Sequence, residues 1–312
     1  MDDQDPTSAD AEWKKIQQNT FTRWVNDKLK TINEYVYNVE TDLSDGILLI
    51  KLLEVLSHKK LRRYVKRPTF KAQRLENASV ALKFIEDESI RLVNIDASDI
   101  VKGNLKLILG LIWTLILKYS ISIPLTYFDG ENNMTPKQAL LKWVREKVPD
   151  LEITDFTRSW DDGRAIAALV NFVEPRVCPD WRTFDPCSAL ENATKAMSGA
   201  EELLHVPMLM DPADIVNPKR DELSVMTYVS LFVGLRVTEP VARSEPPDKT
   251  ECQFPANELT EPVNGAMPSE KTEGQLPADE LTYPVEGPES PEKTGTNLNH
   301  QERLSANFLP LK

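Results

Sequence analysis

Apolar positions recur at steps of three and four along most of residues 10–235. The clearest apolar face lies between Trp13 and Lys30, and its members are Ile16, Thr20, Phe21, Trp24, Val25 and Leu29. This spacing returns side chains to one side of an α-helix. Since no strictly alternating run of strand length stands out, the pattern predicts an all-α fold.

The predicted helices form two sets of four. The first set covers residues 13–30, a helix that starts near Ser44 and Asp45, and residues 77–90 and 104–121; the second covers 135–148, 162–173, 190–204 and 221–233. Helix 104–121 is apolar almost all round, which predicts a central helix wrapped by the others. Its most apolar part, residues 107–117, is shorter than the roughly 20 residues of a membrane span. We therefore expect a core helix rather than a transmembrane segment.

Four landmarks repeat in the same order, which indicates an internal duplication. The pairs are Asp45-Gly46 with Asp162-Gly163, Glu76-Asn77-Ala78 with Glu191-Asn192-Ala193, Asp96–Val101 with Asp211–Val216, and Thr20–Val25 with Ala139–Val144, at offsets of 117, 115, 115 and 119 residues. Each copy is about 105 residues long, a common domain size. The predicted organisation is a disordered N-terminus (1–10), a first domain (11–121), a linker (122–133), a second domain (134–235) and a tail (236–312).

The tail has a different composition from the two domains. It holds 11 of the 22 prolines, and residues 249–265 match residues 271–287 at 12 of 17 positions, which gives a 22-residue repeat. High proline content and acidic charge with few apolar anchors predict a disordered Pro/Glu-rich tail. Two interpretations remain open: a spacer or multivalent short-motif segment, and a tandem duplication without a selected function.

Charge is distributed unevenly along the chain, whose formal net charge is −12. Residues 10–121 carry a net charge of +5, residues 134–235 carry −5, and the tail carries −7. The overall charge argues against a general binder of nucleic acid or of anionic membranes, and an acidic partner should prefer the first domain. Opposite charges on the two domains favour a closed arrangement in a salt-sensitive way.

Residues typical of catalysis or metal binding form no recognisable motif. Cys178, Cys187 and Cys252 have no metal-site spacing and an odd count, which indicates a reducing, intracellular compartment. The histidines are scattered, and no glycine-rich phosphate loop is present. The Asp161-Asp162 pair precedes a predicted helix, where acidic residues cap the helix and match its dipole. The sequence thus predicts no enzyme, no cofactor and no metal.

Two motifs resemble the signatures of tandem calponin homology domains. The first is Gln17-x-x-Thr20-Phe21-x-x-Trp24-x-Asn26, and the second extends from Leu92 through Gly103-Asn104-Leu105-Lys106 to Trp113. The stretches TDLSDGILLIKLLEVLS and GNLKLILGLIWTLILKYSI make the chain most similar to filamins over residues 11–235. The resemblance implies a filamentous-actin binder in the cytoplasm, associated with the actin cytoskeleton. The sequence to residue 312 shows none of the immunoglobulin-like repeats that follow in filamins.

The resemblance implies three actin-contacting segments, at residues 13–30, 95–121 and 134–148. Phe21 and Trp24 share the apolar face of the first helix, so we expect them in the core. The candidate contacts are Gln17, Gln18, Arg23, Lys102, Asn104, Lys106, Ile108 and Lys142. Of these we favour Lys106, because Ile108 falls on a different face of its helix.

Three residues are candidates for a latch between the domains. Trp113 is expected either in the core or at the junction of the domains. The resemblance suggests that Lys137 and Glu222 help to hold a closed pair. On this hypothesis Glu222→Lys opens the pair and raises the affinity for actin.

A basic run lies between Val55 and Leu75 and contains no acidic residue. Its members are Lys59, Lys60, Arg62, Arg63, Lys66, Arg67, Lys71 and Arg74. Because Pro68 interrupts the run, it is not one amphipathic helix. Three interpretations remain open: a solvated loop, a patch that steers the domain toward acidic actin, and a site for phosphoinositide headgroups.

Two other roles for the whole chain also remain open. One is a cytoskeletal scaffold whose repeat tail recruits an unknown partner while actin binding is weak or lost. The other is a family member that folds but no longer binds actin.

Overall fold

The computed structural model of the protein describes residues 6–129 and 134–235, with side chains from residues 12–126 and 134–235. Within these ranges the chain is helical and contains no β-strand, which confirms the predicted all-α class. The whole of the predicted tail, with its 22-residue repeats, lies outside the described residues.

The first domain is built from seven helices and a π-helical segment. The helices are α1 (Pro6–Leu29), α2 (Val39–Asp42), α3 (Ile47–Ser57), α4 (Lys71–Asp87), α5 (Ala97–Lys102), α6 (Leu105–Ile116) and α7 (Ile123–Asp129), and the π-helical segment is Leu117–Ser122. The second domain contains α8 (Pro136–Lys147), α9 (Arg164–Val173), α10 (Ala189–Leu204), α11 (Pro212–Ile215) and α12 (Glu222–Ser230). All eight predicted helices are present.

Three boundaries differ from the prediction. Helix α1 begins at Pro6, and proline is favoured in the first turn of a helix. Helix α4 begins at Lys71, six residues before the predicted start. The helix that contains α6 continues through the π segment to Asp129, into the predicted linker. Buried Ile121 and Leu125 keep this part of the chain packed and helical.

The short helices α2, α5 and α11 were not predicted. Each has four to six residues, too few for a periodic pattern to be visible. Local caps stabilise two of them: Asn38 accepts the Glu40 backbone N–H, and Asp96 accepts those of Ser98 and Asp99.

The duplicated landmarks form the same contact in both domains. Gly46 has φ +79°, and a Cβ atom there would lie 2.7 Å from the Cβ of Asn77. Gly163 has φ +70°, and its Cβ atom would lie 3.0 Å from that of Asn192. Each glycine thus lets the start of one helix press directly against the next, in a conformation that glycine adopts without strain.

The asparagines at these contacts satisfy buried backbone groups. The Nδ2 of Asn77 donates to the carbonyls of Asp45 and Val65, at 3.0 and 2.9 Å. The Nδ2 of Asn192 donates to the carbonyls of Asp162 and Asp185, at 2.9 and 2.8 Å. Two of the four landmarks that indicate the duplication, the Asp-Gly and Glu-Asn-Ala motifs, therefore form the same helix contact in both domains.

Helix α6 is the central helix of the first domain, as predicted. Its buried residues are Ile108, Leu109, Leu111, Ile112, Leu115 and Ile116. The continuous helical stretch Leu105–Thr126 is long and apolar enough to cross a membrane by length and composition alone. The core helix of a packed domain meets the same criterion, and these side chains are buried against the rest of the domain.

Candidate functional site

The turn between α5 and α6 carries three of the predicted contact residues at the surface. Lys102 ends α5, Asn104 directly precedes α6 and Lys106 lies in the first turn of α6; all three are exposed. Ile108, in contrast, has no exposed surface. A buried side chain cannot reach a partner without disruption of the core, so we omit Ile108 from the contact surface.

One side of α6 beyond this turn remains partly open. Lys106, Gly110 and Trp113 follow each other at steps of four and three, and none of them is buried. The Trp113 ring lies parallel to that of Phe21, with centroids 6.0 Å apart. The indole is thus fixed against the core of the first domain while part of it stays accessible. A cation followed by a fixed tryptophan is typical of a binding surface.

Helix α1 has its predicted core face. Phe21 and Trp24 are fully buried, which confirms that prediction, and the Trp24 Nε1 donates to the Ser120 hydroxyl at 2.9 Å. Gln18 is partly exposed. Gln17 and Arg23, however, both bond to the second domain.

A polar seam joins the two domains, which pack together in one compact unit. The seam comprises Glu12, Gln17 and Arg23 of α1, and Asp211, Asn217, Lys219 and Asp221 of the second domain. Arg23 makes a two-pronged ion pair with Asp211, with N–O distances of 2.9 and 3.1 Å. Sequence analysis missed the second-domain side of this seam, because its partners lie about 190 to 205 residues apart.

Asp211 has a different structural role from Asp96, the residue at the equivalent position of the first domain. Asp96 caps α5, and hydrogen bonds from Ser98 and Asp99 lower the pKa of its carboxyl. Asp211 precedes α11 but makes no capping bond from its side chain. Its carboxylate turns to Arg23 instead. The same position of the duplicated unit is therefore a local cap in the first domain and a contact between domains in the second.

Asp221 is the most deeply buried charge of the seam, with 7% of its surface exposed. It caps α12 and accepts hydrogen bonds from the backbone N–H and hydroxyl of Ser224, at 2.8 and 2.7 Å. The Gln17 Nε2 donates to its other oxygen at 3.3 Å. Burial raises the pKa of the Asp221 carboxyl above its usual value, and the hydrogen bonds offset part of that rise.

We expect Asp221→Asn to stabilise the protein at neutral pH. The asparagine oxygen still accepts from Ser224, and after a flip of the Gln17 amide its Nδ2 donates to the Gln17 oxygen. A carboxyl with a raised pKa in the folded state opposes folding when ionised. The advantage of the variant should therefore be largest at pH 7, shrink as pH falls through the raised pKa, and vanish below about 3.8. Urea unfolding of both proteins at pH 7 and at pH 4 measures it, and an advantage that grows as pH falls would refute this account.

Lys137 and Glu222 form an ion pair of 2.6 Å, but both residues belong to the second domain. The pair links the start of α8 to the start of α12 and does not bridge the two domains. A latch role for Lys137, Glu222 and Trp113 stays a prediction. The direct polar contacts between domains lie in the seam.

Lys142 lies on α8, 3.7 Å from Glu146. Both border an open groove with Met134, Gln138 and Leu141 on the outer side of this helix. A contact of Lys142 with a partner stays a prediction.

All eight basic residues of the run are exposed. Two of its cations have acidic partners: Lys59 pairs with Glu88 at 2.7 Å and Lys60 with Glu54 at 2.8 Å. Among the described residues, the other six lie in no ion pair: Arg62, Arg63, Lys66, Arg67, Lys71 and Arg74. Phe70, 69% exposed, lies among them. The positive charge of this surface is therefore mostly uncompensated.

Of the adjacent carboxylates Asp161 and Asp162, only Asp162 contacts the helix that follows them, α9. Asp162 accepts the Arg164 backbone N–H at 2.9 Å. Asp161 pairs with Arg220, whose side chain is only 3% exposed. Both carboxylates thus have structural partners.

Comparison with known proteins gives the family. The sequence profile of the calponin homology (CH) domain matches residues 15–121 and 134–237. The chain therefore belongs to the calponin homology domain family and carries two copies of the domain in the filamin-type tandem.

Two groups of relatives are similar to the chain. Filamin-A of Drosophila melanogaster is 52% identical over 260 residues, 80% of this chain, and Filamin-C of Rattus norvegicus is 54% identical over 229 residues, or 72%. Alpha-actinin-like protein 1 of Schizosaccharomyces pombe is 40% identical over 71% of the chain. The chain spans 12%, 8% and 36% of the lengths of these proteins.

A solved structure shares the fold. The actin-crosslinking core of Schizosaccharomyces pombe fimbrin superposes with a TM-score of 0.53 and 21% identity, over 72% of this chain and 50% of the fimbrin chain. At this level of identity the likeness concerns the fold alone.

Proposed function

We propose that the chain binds filamentous actin through its first domain, without chemistry, and so associates with the cytoplasmic actin cytoskeleton. The observation that carries the proposal is the exposed turn of Lys102, Asn104 and Lys106, which leads into the partly open side of α6. It lies in a filamin-type tandem, and the fimbrin core of the same fold crosslinks actin. A basic surface with a fixed tryptophan suits an acidic filament.

The second domain, on this proposal, regulates the first. Gln17 and Arg23 of α1 are among the candidate contacts, yet the seam bonds both to the second domain. A closed pair therefore occupies part of the surface that would face the filament. The ion pair of Arg23 with Asp211 is about half exposed, so it is weak and salt-sensitive. A filament could displace it.

We expect Lys106→Glu to weaken filament binding roughly tenfold, because it reverses a charge at the centre of the proposed contact. Lys83→Glu is the matched control: an exposed lysine of the same domain on α4, paired only with Asp87. High-speed co-sedimentation of the full chain at low and high salt measures both. Equal losses for the two variants, with their folds intact, would show that the effect is not local.

If the chain is instead a scaffold with weak or lost actin binding, co-sedimentation with filaments should give a different result. If a well-folded chain does not sediment with filaments even when the seam is opened, actin binding has been lost. The 22-residue repeats then become the place to search for a partner.

A second candidate ligand is the phosphoinositide headgroup. Six exposed cations that form no ion pair with a described residue favour it, with the exposed Phe70 among them to enter the lipid interface. Flotation with neutral vesicles and with vesicles that contain phosphoinositide tests it. Arg67→Gln should reduce binding more than Lys60→Gln, because Lys60 is already paired with Glu54. No preference for the charged vesicles would remove this candidate.

A further inference from the structure

Two tyrosines project from the segment that follows α1. Tyr35 is 58% exposed and Tyr37 87%, and their rings meet edge to face with centroids 4.7 Å apart. Single exposed apolar residues are common on protein surfaces, but two adjacent aromatic rings form a patch. Neither tyrosine belongs to the motifs that carry the family resemblance.

Contacts with α1 fix the backbone between the two tyrosines. Val36 is fully buried, and its backbone exchanges two hydrogen bonds with the Asn26 side chain of α1. The Asn26 Nδ2 donates to the Val36 carbonyl at 2.8 Å, and the Val36 N–H donates to the Asn26 Oδ1 at 2.7 Å. The residue between the tyrosines is thus tied to α1 while its two neighbours point outward.

Further contacts fix both ends of the segment. The Asp42 carboxylate accepts the backbone N–H groups of Tyr37 and Asn38, at 2.7 and 2.9 Å. At the other end, Glu34 forms an ion pair with Lys51 of α3. Because the backbone is already ordered, a partner would pay little conformational entropy to bind the rings.

The tyrosines border a groove of about 670 Å³ along α1. Lys14, Lys15 and Arg23 line it together with neutral polar side chains, and no described acidic side chain does. The positive charge of Lys15, and that of Arg23 once the seam opens, favours an acidic partner. The exposed rings favour apolar atoms beside its carboxylates.

The second domain carries a groove at the equivalent place without the tyrosine pair. Met134, which precedes α8, and Gln138 and Leu141 of α8 lie 119 residues after Lys15, Asn19 and Thr22. They line a groove that contains two cations, Lys142 and Arg145, and the acidic Glu146. No tyrosine borders it. The tyrosine pair, and a lining without a described acidic side chain, are therefore properties of the first domain and not of the duplicated unit.

We propose that the α1 groove receives an acidic segment of the actin filament, with Tyr35 and Tyr37 packing on apolar atoms beside its carboxylates. This inference rests on the proposed function and adds a contact to it. The groove is continuous with the α1 surface that carries Gln18, one of the candidate contacts. Arg23 closes one part of the groove and is paired with Asp211, so opening of the seam makes its charge available.

The test is co-sedimentation of the full-length double variant Tyr35→Ala/Tyr37→Ala with filaments. Removal of two fixed aromatic contacts should weaken binding about tenfold. Leu190→Ala, at an exposed apolar side chain of the second domain, is the control and should change binding less than about twofold. Since the altered side chains are exposed, urea midpoints should match that of the wild type. Lys15→Gln should reduce the salt dependence of binding.

The outcomes separate this inference from the proposed function. If wild type binds and the tyrosine variant binds equally well, the groove contact is wrong while actin binding stands. If both the tyrosine variant and Leu190→Ala weaken binding to the same extent, the effect is not specific to the groove, and the inference is also wrong. If neither wild type nor the seam-opened Asp211→Lys binds, the filament is not the occupant and both proposals fail.

Discussion

Gly46→Val is expected to destabilise the first domain by roughly 3–5 kcal/mol, and Gly163→Val to do the same to the second. Both glycines have positive φ, where a β-branched residue is strained. A side chain would also collide with the next helix, since at Gly163 even a Cβ atom lies 2.6 Å from the Ala189 carbonyl oxygen. Thermal and urea unfolding, followed by circular dichroism, measure the loss.

Gly110→Ala is the control for this prediction. Gly110 lies inside α6, has ordinary helical φ, and a Cβ atom there meets nothing within 4 Å. Alanine is preferred over glycine in a helix by about 1 kcal/mol, so this variant should be equally or more stable than wild type. Wild-type stability of Gly46→Val and Gly163→Val would show that the helix contacts are not as close as described.

Gln17→Glu is expected to open the two domains at neutral pH. It places a second carboxylate about 3.3 Å from the Asp221 oxygens, in a site where both side chains are buried. Two buried like charges without a cation between them cost roughly 3 kcal/mol, about a hundredfold in the equilibrium between closed and open pairs. At acidic pH the two carboxyls can share a proton, so the closed pair should return.

Gln18→Glu makes the same chemical change one residue further along, on a partly exposed side chain that lines the α1 groove. It should leave the pair closed. Small-angle scattering and hydrogen exchange of α1 at pH 7 and pH 5 distinguish the two variants. If Gln17→Glu scatters and exchanges like Gln18→Glu, the seam does not hold the domains together.

Most of the fold could be predicted from the sequence because long amphipathic helices leave a periodic pattern. The duplication could be found because each copy keeps its glycine and asparagine for one buried contact. The short helices α2, α5 and α11 could not be predicted, because they are too short for a periodic pattern. Two of them, α2 and α5, depend on hydrogen bonds from single capping side chains. The extension of α6 into the predicted linker was missed because polar Ser122 and then Pro124 follow the apolar stretch, and proline usually ends a helix.

The candidate site was predicted only in part. Lys102, Asn104 and Lys106 are exposed because they flank a helix start, a local feature that sequence reveals. Gln17 lies off the apolar face of α1, so it was predicted at the surface; the second domain buries it. Contacts between residues about 200 positions apart leave no periodic signal. The correspondence of Asp211 with Asp96 predicted that Asp211 lies at a helix start. It gave no sign that Arg23 is its partner.

Co-sedimentation of the full chain with filamentous actin, as wild type and as Asp211→Lys, tests the account most directly. Asp211 lies on the second domain, outside the proposed contact surface. In the variant a lysine replaces the carboxylate that pairs with Arg23, so two like charges face each other and the seam is expected to open. The account predicts that wild type binds, that Asp211→Lys binds several-fold more tightly, and that Lys106→Glu weakens both. Absence of binding by both well-folded proteins would contradict it.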